Sequence, residues 1–164
     1  MVKTKESTKV ETKVKEELPE VIYHYAIGRR KEATARIRLY VLANLTNVSI
    51  NGKSYEKGEI VVNELPVEKY FYGEMSKKRY LEPFRTTNTL NRFVTTVKVE
   101  GGGLSGQLGA MIHGISRALV KIDPEKNHSI IKKHGFLTRD PRAKQRRKAG
   151  FAGKSRKKKQ SPKR

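Results

Sequence analysis

Residues 93–122 read FVTTVKVEGGGLSGQLGAMIHGISRALVKI, and this stretch decides the fold. Phe93 to Glu100 is rich in β-formers, with Phe93, Thr95, Val97 and Val99 falling on one side of a strand. Gly101, Gly102 and Gly103 then stop the alternation. From Leu104 the apolar period lengthens to that of a helix, reaching about Ile122. On a helical wheel Leu104, Leu108, Met111, Ile112, Ile115, Leu119 and Ile122 form one stripe. The other side is small at its start, with Gly103, Gly106 and Ala110. It then turns basic, with His113, Arg117 and Lys121 one turn apart. Strand, glycine turn and long amphipathic helix imply a sheet with a helix laid on it.

Upstream, Ala33, Ala35, Ile37, Leu39 and Val41 alternate with Thr34, Arg36, Arg38 and Tyr40. This is a half-buried strand whose outer face presents two arginines and a tyrosine. Gly28–Arg29–Arg30–Lys31 precedes it as a basic turn. There the glycine would admit close backbone approach, and two guanidiniums are suited to bidentate phosphate contacts. Asn51–Gly52 between short apolar alternations predicts a hairpin, because a type I′ turn needs positive φ at both central residues. A further turn at Lys57–Gly58 leads to Ile60, Val61 and Val62. Leu65–Tyr72 reads as a short helix with Pro66 in its first turn and Gly73 at its end. Residues 74–92 suggest one or two short helices broken at Pro83.

Downstream, Asp123–Pro124 has the form of an N-cap followed by a first-turn proline, and Gly135 the form of a helix stop. Phe136 and Leu137 are the last core candidates. Runs of strand followed by helices and a further strand make the chain α+β, a two-layer sheet with helices packed on one face. The expected organisation is an N-terminal extension (1–20), a globular domain (21–137) and a basic tail (138–164). Residues 1–20 carry five Lys and five Glu, are closed by Pro19, and are expected to be disordered.

Charge is concentrated at the C-terminus. The formal net charge is +21. Residues 138–164 hold 13 Lys or Arg against the single acid Asp140, leaving +9 for the other 137 residues. Phe151 is the one large apolar side chain beyond Leu137. Such a segment buries too little apolar area to offset its ordering entropy, so it should be disordered until it meets dense negative charge. A polyanion is the natural partner of so basic a chain.

Other classes of function fall away on the residues. No stretch approaches the ~20 apolar residues of a membrane span, and the tail lacks the apolar face of a membrane-surface helix. There are no cysteines, hence no disulfide, thiolate metal site or thiol nucleophile. His24, His113, His128 and His134 show no metal spacing. No Ser–His–Asp pattern or carboxylate pair appears, so neither an enzyme nor a cofactor is expected. Gly101 and Gly106 have the spacing of a phosphate-binding loop, but Gln107 stands where such a loop requires lysine. Close approach of the glycine turn to a neighbouring strand or to an RNA backbone is the better reading.

The order GRRKEATARIRLY, INGK, TVKVEGGGLSGQLGAMIHGISRALV, GFLTRDPRAKQRRKAG and a terminal Lys-Arg resembles the ribosomal protein S nine family, bacterial type. The resemblance covers roughly Tyr23 to Arg164. It implies a fold related to a domain of ribosomal protein S five, a place in the head of the small subunit in the cytoplasm, and neighbouring ribosomal proteins as partners. It also implies a structural role in translation. Arg29, Arg30, Lys31, Arg139, Arg142, Arg146, Arg147 and Lys148 would bind small-subunit ribosomal RNA. Arg36 and Arg38 on the strand face, with His113, Arg117 and Lys121 on the helix, would add phosphate contacts. Lys163 and Arg164 would reach transfer RNA in the peptidyl site. Family members commonly end Pro-Gln-Phe-Ser-Lys-Arg. Here the end is Lys159–Gln160–Ser161–Pro162–Lys163–Arg164, with Pro162 removing an N–H and fixing φ before the final pair. A free basic nucleic-acid-binding protein or RNA chaperone explains the charge equally well. It does not explain why one small domain holds one long tail at a defined exit.

Overall fold

A computed structural model describes residues 22–42, 47–50 and 52–147. The sheet is built of β1 (Tyr23–Arg30), β2 (Ala33–Val41), β5 (Ile60–Val62), β6 (Leu65–Pro66) and β7 (Phe93–Glu100). Its order is β1-β2-β7-β5-β6, and the other described strands, β3 (Asn47–Ile50) and β4 (Lys53–Glu56), form a separate two-stranded hairpin. All pairings are antiparallel except β5 with β7. Among the described residues the helices are α1 (Val67–Tyr70), α2 (Glu74–Thr86), α3 (Leu104–Ile122) and α4 (Pro124–Lys133). The α+β architecture read from the sequence is the one observed, with α3 lying across β1 and β2.

The core lies between sheet and helices. Ala35, Ile37 and Leu39 of β2 meet Met111, Ile115, Ala118 and Leu119 of α3, all fully buried. Each large apolar side chain there stabilises the fold by about 2 kcal/mol over leaving it exposed. The helix buries more of its circumference than the apolar stripe alone. Gly106, Ala110, Gly114 and Ala118, one turn apart, are buried as well, whereas Leu104 at the stripe's start is 47% exposed. The small side is therefore a contact surface: a Cβ on Gly28 would collide with the Ala110 carbonyl oxygen and the Gly114 backbone. Strand and helix touch backbone to backbone at Gly28 and Gly114.

That contact explains the strand the sequence did not announce. Gly28, Arg29 and Arg30 belong to β1, paired with Ala35, Thr34 and Ala33, and not to a turn. The turn is Lys31–Glu32, with Lys31 at φ 53. The helix-facing positions of β1 include Ala26 and Gly28 because α3 leaves no room for more. A strand with small residues inward has no apolar alternation to recognise.

Three further elements differ from expectation. Leu65 and Pro66 are strand, so the helix expected over 65–72 shrinks to α1. Gly73, expected as its stop, sits with φ 93 ahead of α2. Pro83 does not divide residues 74–86, which form one helix with Pro83 fully buried between Tyr80 and Phe84. Its carbonyl accepts the hydroxyls of Thr86 (3.0 Å) and Thr87 (2.9 Å), so core packing and capping near the helix end outweigh one missing N–H. Tyr40, expected outward, is buried with Leu42, Val48 and Val94 in a second small core, against which Ile50 and Tyr55 pack. Other expectations hold among the described residues, whereas those for residues 1–20 and 148–164 lie outside them. The hairpin around Gly52 forms, α3 ends at Ile122, Pro124 is the first residue of α4, and Gly135 has the φ of 73 that ends it. Asp123 occupies the N-cap without a side-chain capping bond. Phe136 and Leu137 pack against the core as its last residues.

Candidate nucleic-acid interface

The glycine turn is an internal joint. Gly101 (φ 73) and Gly102 (φ 60) take left-handed conformations, and a Cβ on Gly101 would come within 2.7 Å of the Glu32 carbonyl oxygen. The neighbour that approaches closely is thus the β1–β2 turn. Gln107 shows why lysine is absent. Its Nε2 donates to the Gly101 carbonyl (3.1 Å) and its Oε1 accepts from the Tyr70 hydroxyl (2.9 Å). Asn63 completes this corner, exchanging bonds with the Val99 carbonyl (3.0 Å) and N–H (2.8 Å) as a strand residue would.

The predicted basic residues separate into three groups. The first lines the outer edge of β1. His113, Arg117 and Lys121 lie one helical turn apart, and together they meet alternate residues of that edge, one each. The Arg29 N–H donates to His113 Nδ1 (3.3 Å), Arg117 donates to the Ile27 carbonyl (2.6 Å), and Lys121 to the Tyr25 carbonyl (2.7 Å). An open strand edge is a template for unwanted pairing, and these side chains occupy it. They remain at the surface, and with Arg29 and Arg139 they border a shallow groove of about 340 Å³. Arg117, which lines this groove, uses one of its five donors on Ile27 and keeps others for a further acceptor.

The second group fixes the root of the C-terminal segment. Asp140 accepts from Arg30 (2.9 Å) and from the Nε (2.9 Å), Nη2 (2.8 Å) and backbone N–H (3.1 Å) of Arg142. The Arg142 hydrogen bonds, then the Arg30 charge, hold the Asp140 carboxyl far below the ordinary carboxylate range. Arg30 is mostly covered, lying over Gly109, where any Cβ would collide with its Cδ. Arg139 makes a long contact to the Lys31 carbonyl (3.5 Å). His113 joins the two groups. Because Nδ1 accepts from Arg29, Nε2 carries the proton and donates to the Leu137 carbonyl (3.3 Å). Burial, then the nearby Arg117 and Arg139 charges, lowers the His113 pKa and favours this neutral form, against the opposing hydrogen bonds. Arg146 and Arg147 are exposed beyond this root, whereas Lys148, Lys163 and Arg164 lie outside the described residues.

The third group stands on the sheet face away from the helices. Arg36 and Arg38 project there, Arg36 opposite Lys98 and Arg38 opposite Thr96 of β7 and Tyr25 of β1. Arg38 lies over the Tyr23 ring at 5.4 Å. Tyr23, Tyr25 and Lys98 join these arginines on the same face, although none stands in a basic motif of the sequence. The Tyr-His-Tyr alternation was a signal for the tyrosines, but Lys98 becomes a neighbour of Arg36 only through the strand register. Among the described residues no group of His, Cys, Asp and Glu is arranged to hold a metal, and no helix is long and apolar enough to cross a membrane.

Comparison with known proteins fixes what this framework is. The family model described as ribosomal protein S9/S16 matches residues 28–164. The chain belongs to the ribosomal protein S9 family. It is 43% identical over 162 residues to the small ribosomal subunit protein uS9 of Rickettsia prowazekii, covering 98% of this chain and 91% of that protein. The uS9 of Maridesulfovibrio salexigens is 44% identical over 131 residues, 80% of this chain and 89% of its own length. That of Thermotoga petrophila is 42% identical over 134 residues, 82% and 91% respectively. As a member of the S9 family the chain is a structural, non-enzymatic protein of the small ribosomal subunit, acting in translation within the cytoplasmic ribosome.

Proposed function

We propose that residues 21–137 dock on small-subunit ribosomal RNA in the subunit head, beside other ribosomal proteins. In this reading residues 138–164 run on through RNA, bringing Lys163 and Arg164 to transfer RNA in the peptidyl site. The observation that carries the reading is the convergence at the β1 edge. Arg29, His113, Arg117, Lys121 and Arg139 border one groove, and the C-terminal segment departs beside it, its root held by Asp140. Phosphate contacts from this groove position the domain and carry little sequence information. RNA shape supplies the specificity. The basic segment then neutralises crowded phosphates, releasing counterions as it binds.

Removal of Ser161–Arg164 tests the far end. Subunits should assemble normally while peptidyl-site transfer RNA binds roughly fivefold more weakly, the equivalent of about 1 kcal/mol for a screened charge contact. Failure of assembly would make the last four residues structural and overturn their assignment to transfer RNA. Sedimentation of the full-length chain with free nucleic acid, and not with small subunits, would overturn the docking role itself.

A further inference from the structure

The sheet face turned away from the helices carries features that the proposed docking groove does not use. Beside β3–β4, whose Ile50 and Tyr55 line its rim, that face forms a concave groove of about 840 Å³, floored in part by Tyr25, Arg38, Thr96 and Lys98. Tyr25 is 38% exposed; Tyr40 is buried, and the ring of Tyr23, a residue 49% exposed, already has Arg38 over it at 5.4 Å and the Tyr40 ring 5.6 Å away. Tyr25 thus offers an aromatic face with cations on the adjoining strands. The acids nearby are weakly engaged. Glu100 lies 3.9 Å from Arg36 and 3.5 Å from Lys98 with all three side chains half or more exposed, and Glu64 on the rim contacts Lys53 at 3.4 Å. Such exposed pairs contribute little and exchange readily for a phosphate. Arg36, Arg38 and Lys98 thus stand against Glu100 on the face and Glu64 at the rim, and the balance of charge still favours anions.

We infer that this groove is a second RNA site, one that takes an unpaired stretch of one or two nucleotides with a base stacked on Tyr25. Arg36, Arg38 and Lys98 would hold the flanking phosphates. A sheet presenting an exposed ring amid cations suits unpaired nucleotides, because every base has a stacking face and a duplex buries it. A groove of this size encloses a small ligand and not a helix of RNA. The inference rests on the RNA-docking reading above but concerns the opposite side of the sheet.

The test places a photoreactive phenylalanine analogue at position 25 of the full-length chain, assembled into intact small subunits. Cross-linking to an unpaired ribosomal RNA nucleotide is expected. Cross-linking to a neighbouring protein, to a base-paired nucleotide or to nothing overturns the site. In parallel, a 2-aminopurine-labelled RNA hexamer reports stacking through fluorescence quenching on the full-length protein. Tyr25→Phe should retain the quenching, while Tyr25→Leu should weaken the quenched complex roughly tenfold. Equal quenching by both variants also overturns the site. Subunit incorporation of both variants, read in the same experiment, reports the docking role independently, since Tyr25 meets Lys121 of the helix through its backbone carbonyl, which both variants keep.

Discussion

The two sides of the β1–β2 pair use arginine and lysine in opposite ways. Toward the helices and along the β1 edge, Arg30, Arg117 and Lys121 are committed to the protein itself. They bind Asp140 and the carbonyls of Ile27 and Tyr25. On the other face Arg36, Arg38 and Lys98 make only long ionic contacts or lie over a ring. The two sets look alike in sequence, since both are basic residues at regular spacing. A count of cations therefore overstates the number free for RNA, and the structure says which have a second duty. A cation bound to a strand carbonyl loses stability for the fold when removed, and one on the open face does not.

Changes that break this contrast should differ in size. The largest effect belongs to the joint beneath both faces. Gly28→Ala forces α3 away from β1 and should destabilise the domain by about 3 kcal/mol, measured by urea denaturation, with RNA affinity lost only through unfolding. Next is Arg117→Gln, which removes a donor from the Ile27 carbonyl as well as a charge. It should lower stability by about 1 kcal/mol and reduce the salt dependence of RNA binding by roughly one phosphate contact. A change in salt dependence without any change in stability would separate Arg117 from the strand edge.

The smallest effect is that of pH on His113. Its folded pKa lies below the ordinary 6.5 because of burial and neighbouring arginines, so the unfolded chain takes up the proton first. Stability contributed by the neutral ring is present above about pH 6.5. It declines as pH falls below that value and is fully lost below the folded pKa. His113→Gln should flatten this part of the stability profile between pH 7 and 5. An unchanged profile would remove His113 from the link between β1 and Leu137.

Much of the fold was legible because it rests on local chemistry. The β2 alternation, the hairpin at Gly52, the bounds of α3 and the stop at Gly135 are each written in periodicity or in a backbone preference. The misreadings share one cause. In sequence Gly28 reads as open to RNA, and Gly106 and Ala110 as the small face of a helix, whereas in the fold these positions bring β1 and α3 into contact. Close packing requires small residues, which carry no hydrophobic signal. Pro83 misled for a similar reason, since burial against the core kept a helix intact where the local rule expected a break.

For the candidate site the division is the same. The sequence alone determined that the chain is basic enough to require a polyanion, that the charge is gathered past Leu137, and that no residue pattern supports catalysis. Net charge and composition are sums over the chain and need no geometry. Only the tertiary structure decided which cations meet: Arg30 with Asp140 across 110 positions, Arg117 with Ile27 across 90, and Arg36 with Lys98 across β2 and β7. Those neighbours are set by strand register and by how near α3 can come to β1. Both depend on packing between distant segments, and no local spacing contains it.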